Sequence, residues 1–507
     1  MFRYIVRACV LASLLLAAGC ISTPNQPLNQ RAIAPLLFAN NPAPHPPQNK
    51  RNTDDINARA GTEFATDPDV AHDGVMIGLT FSGGGTRAAS YAFGVAKEIE
   101  ATRVSIANKN VSLFEYVDML SGVSGGSVTA AYLGLKGRAG LDDFRERFLI
   151  RDAEESLNTE LGLTTLGAAL GGGVNDQTRL PRWLDEHLFE GATMADLERN
   201  RPAHVHIYAS DLYNRHPFIF SRATFEAICS DYGSYPLSHA VAASAAVPFV
   251  FSPIVLQTFP ESCHAPPPAW VNRAINNREE SEMLRSAARG FLRNRDRRLV
   301  QYVKLADGGL SDNFGVTGFV IERTRDRTPF APLNEQQAVK LSRAMFLVAN
   351  GGPAPNAAWA RTIEGPSGID MVNAISDTAI RANVRANFEA FRQTFRLWRE
   401  ELVRWRCSLP ASRVQQLRGS LAGWNCRDVQ FFIAELAFDQ LGPERLTELS
   451  AVPTRFKLPQ EQVDSMIAAG RDVVRNNETF QRFLQSLPGG TRGNKALVAS
   501  GDIGPDL

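Results

Sequence analysis

The chain has no histidine after His264; its eight histidines are His45, His72, His187, His204, His206, His216, His239 and His264. A hydrolase triad in the order serine, acid, histidine is therefore excluded for any acid in the long C-terminal stretch. Charge of one sign is also missing. The 54 Lys and Arg offset 53 Asp and Glu, leaving +1, so there is no whole-protein drive toward nucleic acid. No His/Cys/Asp/Glu group has zinc spacing, and no EF-hand loop is present. There is no internal repeat. The apolar stretch from Ala8 to Ala18 is too short for a comfortable membrane span. Cysteine is sparse, at six residues. What is abundant is apolar mass: 507 residues at 44% hydrophobic content suffice for a large core.

Three glycine-rich turns carry the chemistry. The run Val75 to Phe81 reads as a buried strand and feeds Ser82-Gly83-Gly84-Gly85-Thr86-Arg87, after which Ala88 to Glu100 reads as a helix. Successive glycines at a helix start leave backbone N–H groups free to hold an anion, including a developing oxyanion. A phosphate loop is the rival reading, but no Lys-Ser/Thr pair follows, and the spacing is not Gly-x-Gly-x-x-Gly. Next, Gly122-Val123-Ser124-Gly125-Gly126 follows the apolar run Tyr116 to Leu120 and precedes a small-residue helix. Gly-x-Ser-x-Gly between strand and helix is the nucleophile-elbow pattern, with Gly122 and Gly126 making room for the turn. Third, the strand Tyr302 to Ala306 ends in Asp307-Gly308-Gly309. Asp307 is a candidate to orient or deprotonate a serine hydroxyl; an ordinary Asp-Gly turn is the alternative, and Asp312 is a competing carboxylate. An earlier acid paired with one of His187 to His264 stays open, although no motif marks it.

The order Ser-Gly-Gly-Gly-Thr-Arg, Gly-Val-Ser-Gly-Gly, Asp-Gly-Gly resembles the patatin-like phospholipase family. Ala209-Ser210-Asp211-Leu212 and Ala243-Ser244-Ala245-Ala246-Val247-Pro248-Phe249 resemble two further family stretches. The resemblance implies a three-layer α/β/α fold and a Ser-Asp dyad that cleaves lipid acyl esters without metal or other cofactor. By it, Ser124 is the nucleophile and Asp307 the base. Gly83, Gly84, Gly85, Thr86 and Arg87 form the oxyanion loop, with the Gly125 amide as a further donor. Two departures stand out: Ser82 replaces the family's usual Asp, and Ala88 the frequent Gly; neither removes a backbone N–H.

The N-terminus reads as a secretory signal, with Arg3 and Arg7 ahead of the apolar core. Its end, Leu16-Ala17-Ala18-Gly19-Cys20, resembles a bacterial lipoprotein box, with Ala17 where leucine is usual. That resemblance implies cleavage after residue 19, a lipid on Cys20 and, with Ile21 next, the outer membrane facing the periplasm. A plain signal peptide is the alternative. Four cysteines then remain, and Cys229–Cys263 with Cys407–Cys426 are the sequence-local pairings among three possible connectivities. Residues 20–73, rich in Pro and Asn, read as an extended tether. Residues 74–350 read as the catalytic domain and 351–507 as a mostly helical C-terminal region.

Three other stretches have two readings each. The arginine run Arg285, Arg289, Arg293, Arg295, Arg297, Arg298 reads as a solvated face or a contact for lipid headgroups. The stripe Ile380, Val384, Phe388, Phe391, Phe395, Trp398, Leu402, Trp405 reads as a helix face packed on the core or lying on a membrane. The stretch Leu161 to Gly173 is a candidate lid. Function classes follow: a lipid acyl hydrolase acting on phospholipid or another acyl ester, a non-catalytic tether or assembly factor keeping the same fold, or an acyltransferase using the same dyad.

Overall fold

The computed structural model describes residues 25–32, 70–106, 108–155, 157, 173–199, 203–263, 265–355 and 358–487. The signal segment, Cys20 and the lid candidate, apart from Gly173, lie outside these residues. The strands are β1 (Val75–Phe81), β2 (Arg103–Ile106), β3 (Lys109–Ser112), β4 (Val117–Val123), β5 (His204–Asp211), β6 (His216–Ile219), β7 (Ile254–Gln257), β8 (Tyr302–Asp307), β9 (Arg343–Asn350) and β10 (Gln430–Ala437). The helices that matter below are α1 (Gly85–Ala101), α2 (Gly125–Lys136), α3 (Leu237–Ser244), α4 (Ala269–Asn276), α5 (Glu282–Asn294), α6 (Ile369–Ser408), α7 (Gln460–Asn476) and α8 (Glu478–Ser486).

The main sheet runs β10-β9-β1-β4-β5-β8-β7, with β6 on the far end of β5. The first five strands are mutually parallel; β8, β7 and β6 are antiparallel to their neighbours. All seven residues of β1 and of β4 are buried, as a parallel strand covered on both faces requires. Side chains alternate across the sheet. Val75, Ile77, Leu79 and Phe81 join one apolar cluster with α1, α2 and α7, whereas Met76 joins a second with α6. The result is the expected three-layer α/β/α sandwich with a mostly helical C-terminal part.

That C-terminal part also supplies a strand the sequence reading does not contain. β10 pairs in register with β9 over eight residues, so residues beyond 350 complete the sheet itself. α7 lies along α1, with Arg471 and Arg475 paired to the largely buried Glu98 at 3.0 and 2.7 Å. The 40-residue α6 carries the aromatic stripe. Phe391, Phe395, Trp398 and Leu402 are fully buried against Phe319, Phe346 and Phe431, so this part of the stripe is core. No helix among the described residues is long and apolar enough to cross a membrane.

The stretch read as a free tether needs one correction. Residues 25–32 lie on the domain. The Asn29 side chain accepts from Gln257 N at 2.8 Å and donates to Gln257 O at 2.9 Å. A primary amide offers the same donor and acceptor as a peptide, so Asn29 caps the open edge of β7 as a neighbouring strand would. Arg31 adds an ion pair to Glu261 at 2.8 Å. Both sequence-local disulfides are formed, with Cα separations of 5.4 Å for Cys229–Cys263 and 5.0 Å for Cys407–Cys426. Much of the arginine run on and after α5 is neutralised locally. Arg285 and Arg289 pair with Glu282, Arg295 with Glu226 and Arg298 with Asp296.

Candidate active site

β1 and β4 are adjacent and parallel, with Phe81 opposite Gly122. The two turns that follow them therefore leave the same end of the sheet side by side. Ser124 occupies the corner between β4 and α2 at φ 50°, ψ −124°. A non-glycine residue pays roughly 1–3 kcal/mol for such a conformation and keeps it only where the surroundings dictate it. Here they do. Ser124 N–H donates to Ser244 Oγ at 2.8 Å, and the Ser124 carbonyl accepts from Ser127 N at 2.9 Å and Ser127 Oγ at 2.6 Å. Glycine at 125 is demanded by the neighbouring loop: a Cβ there would lie 2.0 Å from the Gly85 carbonyl oxygen. Gly125→Ala is expected to force the two turns apart by about 1 Å and to lower the melting temperature, measured by circular dichroism.

Asp307 arrives from the other direction. β8 runs antiparallel to β5 and places Asp307 opposite Ala209, while Val123 is opposite Tyr208. Serine and aspartate thus stand at the same level, with β5 between their strands. The end of α3 clamps the arrangement. Asp307 N donates to Ala246 O at 2.8 Å, Gly308 N to Ser244 O at 3.0 Å, and Ser210 Oγ to Asp307 O at 2.8 Å. The carboxylate accepts from Gly309 N at 2.8 Å. Burial pushes the Asp307 carboxyl up to about 6, against the opposing pull of Ser124 and of the Gly309 amide.

Asp312 and three of the histidines have other partners. Asp312 is fully buried and accepts from Phe314 N, Gly315 N and Thr317 N at 3.2, 3.0 and 2.7 Å, which makes it a turn-former. His187 stacks on Trp183 and bonds its carbonyl; His216 bonds Pro217 O; His206 sits 3.9 Å from Glu322.

The glycine loop is more specialised than its sequence implied. Gly83 N–H is taken by Asn313, at 3.2 Å to Oδ1 and 3.3 Å to the carbonyl. Thr86 N–H is taken by Arg455 O at 2.8 Å. Neither is left for an oxyanion. The Gly84, Gly85 and Gly125 amides have no acceptor among the described residues, and Gly84 is the one loop glycine with partial solvent access. Arg87 is also not a donor to the turn. Its guanidinium is buried, with Nε on Gly351 O at 3.0 Å and Nη1 on Val452 O at 2.9 Å. Burial lowers it to about 10, with Arg381 adding to the shift, so it remains a cation at neutral pH and ties the loop to the C-terminal region. Ser82, where the resembling family has Asp, accepts from Gly351 N at 2.9 Å.

Sequence reasoning assigned no role to Ser244, Asn313 or Arg455. Ser244 did lie inside a quoted block, and Asn313 follows Asp307 closely, but Arg455 carries no local signal at all. The chain matches no curated protein. Among solved structures it is similar to VipD from Legionella pneumophila, at 13% identity over 81% of this chain and 66% of that one, TM-score 0.29. It is also similar to human GIVD cytosolic phospholipase A2, at 11% identity over 82% of this chain and 63% of that one, TM-score 0.38. The chain thus spans just under two thirds of the length of each. The family model described as patatin-like phospholipase matches residues 79–320, the span that holds the glycine loop, Ser124 and Asp307. Over residues 79–320, just under half of its length, the chain is therefore similar to the patatin-like phospholipase family.

Proposed function

We propose that this protein is a lipid acyl hydrolase in which Ser124 is the nucleophile and Asp307 its base. The observation that supports the reading is a serine held in a strained corner at the same level of the sheet as a buried carboxylate, beside three uncommitted amides. A serine hydroxyl needs a base to become a useful nucleophile. Burial raises the proton affinity of Asp307 toward the range where a carboxylate accepts protons efficiently near neutral pH. As Ser124 Oγ bonds to the ester carbonyl carbon, its proton passes to Asp307. The carbonyl oxygen gains the negative charge and is held by the Gly84, Gly85 and Gly125 amides, each worth about 10²–10³ in rate. Collapse breaks the ester C–O bond, and Asp307 returns the proton to the leaving alkoxide. Water then attacks the acyl-enzyme, losing a proton to Asp307, which hands it to Ser124 Oγ.

A lipid substrate is supported by the domain's family and by the chain next to the dyad. Val247, Phe249 and Val250, directly after Ala246, are large apolar residues left exposed. We read Cys20 as the lipid attachment of an outer-membrane protein facing the periplasm; two disulfides fit an oxidising compartment. The test is fatty-acid release from phospholipid vesicles by the full chain. The rate should climb about tenfold per pH unit below pH 6 and level off above it, because only the ionised form of Asp307 is a base. No release from phospholipid or short-chain ester at any pH between about 5 and 9 rejects the reading.

A further inference from the structure

Residues 452–458 lie beyond the patatin-like domain, yet they run against its glycine loop. A Cβ on Gly85, which sits at φ +60°, would meet Arg455 O at 2.6 Å and Arg455 N at 3.0 Å. Arg455 O accepts the Thr86 amide at 2.8 Å, and Val452 O accepts from Arg87 at 2.9 Å. This strap forms part of the wall against which the loop is set. It is itself held from the opposite side by one carboxylate. Glu154 accepts from Arg455 Nε at 3.2 Å, from Arg455 Nη2 at 2.5 Å and from Phe456 N at 2.9 Å. Lys457 pairs with Asp152 in the same turn, and Trp183 Nε1 donates to Glu155 at 3.0 Å, fixing that turn to the domain. The Phe456 ring is buried and meets Phe251 edge-on, with centroids 6.1 Å apart.

We propose that Glu154 and Arg455 are positioning residues: Glu154 staples the 452–458 strap, and the strap sets the Gly84 and Gly85 amides at the spacing an oxyanion needs. The inference rests on the dyad reading for its catalytic consequence, but not for its structural one. Charge pairing alone at so exposed an arginine does little. The geometry matters because the strap touches the loop through backbone atoms, and a shift of about 1 Å in such donors costs of order 10² in rate.

The test uses the full chain with Glu154→Ala, Glu154→Gln and, as a control for losing an exposed ion pair, Asp464→Asn, which removes the negative charge that Arg145 meets at 2.8 Å. Two readouts are followed: kcat and KM on a soluble ester, and amide hydrogen exchange in peptides covering residues 82–90. Glu154→Ala is expected to lower kcat about 10- to 100-fold with KM changed less than about threefold, and to speed exchange at Thr86. Glu154→Gln keeps an acceptor for Phe456 N–H and should fall between Glu154→Ala and the unaltered chain. Asp464→Asn should change neither readout. Unchanged exchange at Thr86, or faster exchange with undiminished kcat, overturns the proposal. If the unaltered chain hydrolyses no ester while exchange still responds to Glu154, the dyad reading fails and the strap stands as the support of the loop.

Discussion

Ser124→Ala lowers ester turnover about 10⁴-fold or more and leaves the fold in place. Removing the hydroxyl takes away the atom that attacks, and among the described residues the neighbouring Ser210 hydroxyl is spent on the Asp307 main-chain carbonyl. The contacts that keep residue 124 in its corner are made by its backbone, to Ser244 and Ser127, and alanine retains them all. A fluorophosphonate probe that labels serine nucleophiles should mark the unaltered chain on the peptide carrying Ser124 and leave Ser124→Ala blank. Labelling that persists in the variant moves the nucleophile elsewhere and ends the assignment.

Asp307→Asn should be nearly as damaging to turnover, by about 10³–10⁴-fold, yet make the protein more stable at pH 8. An amide cannot take the serine proton, which accounts for the first effect. The second follows from burial. The carboxyl moves from 3.8 to about 6 on folding, so between those values the folded chain holds a proton that the unfolded chain has released. Stability conferred by this group is therefore complete below about pH 4, falls as pH climbs to about 6 and stays lower above it. The loss amounts to about 3 kcal/mol at most. Asparagine carries no charge to bury, and its Oδ1 still accepts the Gly309 amide. Melts of the two proteins should coincide near pH 4 and separate by several degrees at pH 8, the variant being higher. A variant that melts lower at pH 8 would mean that Asp307 is a comfortable structural anion, and the base role would fall with it.

Several parts of this site were legible in the chain because they are local. A glycine run between an apolar strand and a small-residue helix, or a serine flanked by glycines in the same setting, depends on neighbours within a few positions, and those are written consecutively. The absence of late histidines likewise ruled out a serine, acid, histidine order built on Asp307. What stayed hidden was of another kind. Thr86 and Gly84 look equivalent in sequence, but one amide is taken by Arg455 and the other is left open. Arg87 reads as a basic residue at an anion site, yet its guanidinium serves carbonyls of the C-terminal region. The eight residues of β10 show no strand pattern strong enough to read, because an edge strand takes its hydrogen bonds from a partner rather than from its own composition. Asn29 looked like part of a free tether for the same reason.

Taken alone, the sequence determined that the chain holds buried strands ending in glycine turns, a serine in a sharp corner and an aspartate at a strand end, since each follows from local sterics and burial. Only the tertiary structure decided that β5 stands between β4 and β8, bringing Ser124 and Asp307 to one level of the sheet, that Asp312 is spent on its own turn, and that a strap more than 300 residues away in sequence presses on the glycine loop. Those outcomes depend on which strands pair and in what register, a competition among distant segments that no single stretch encodes.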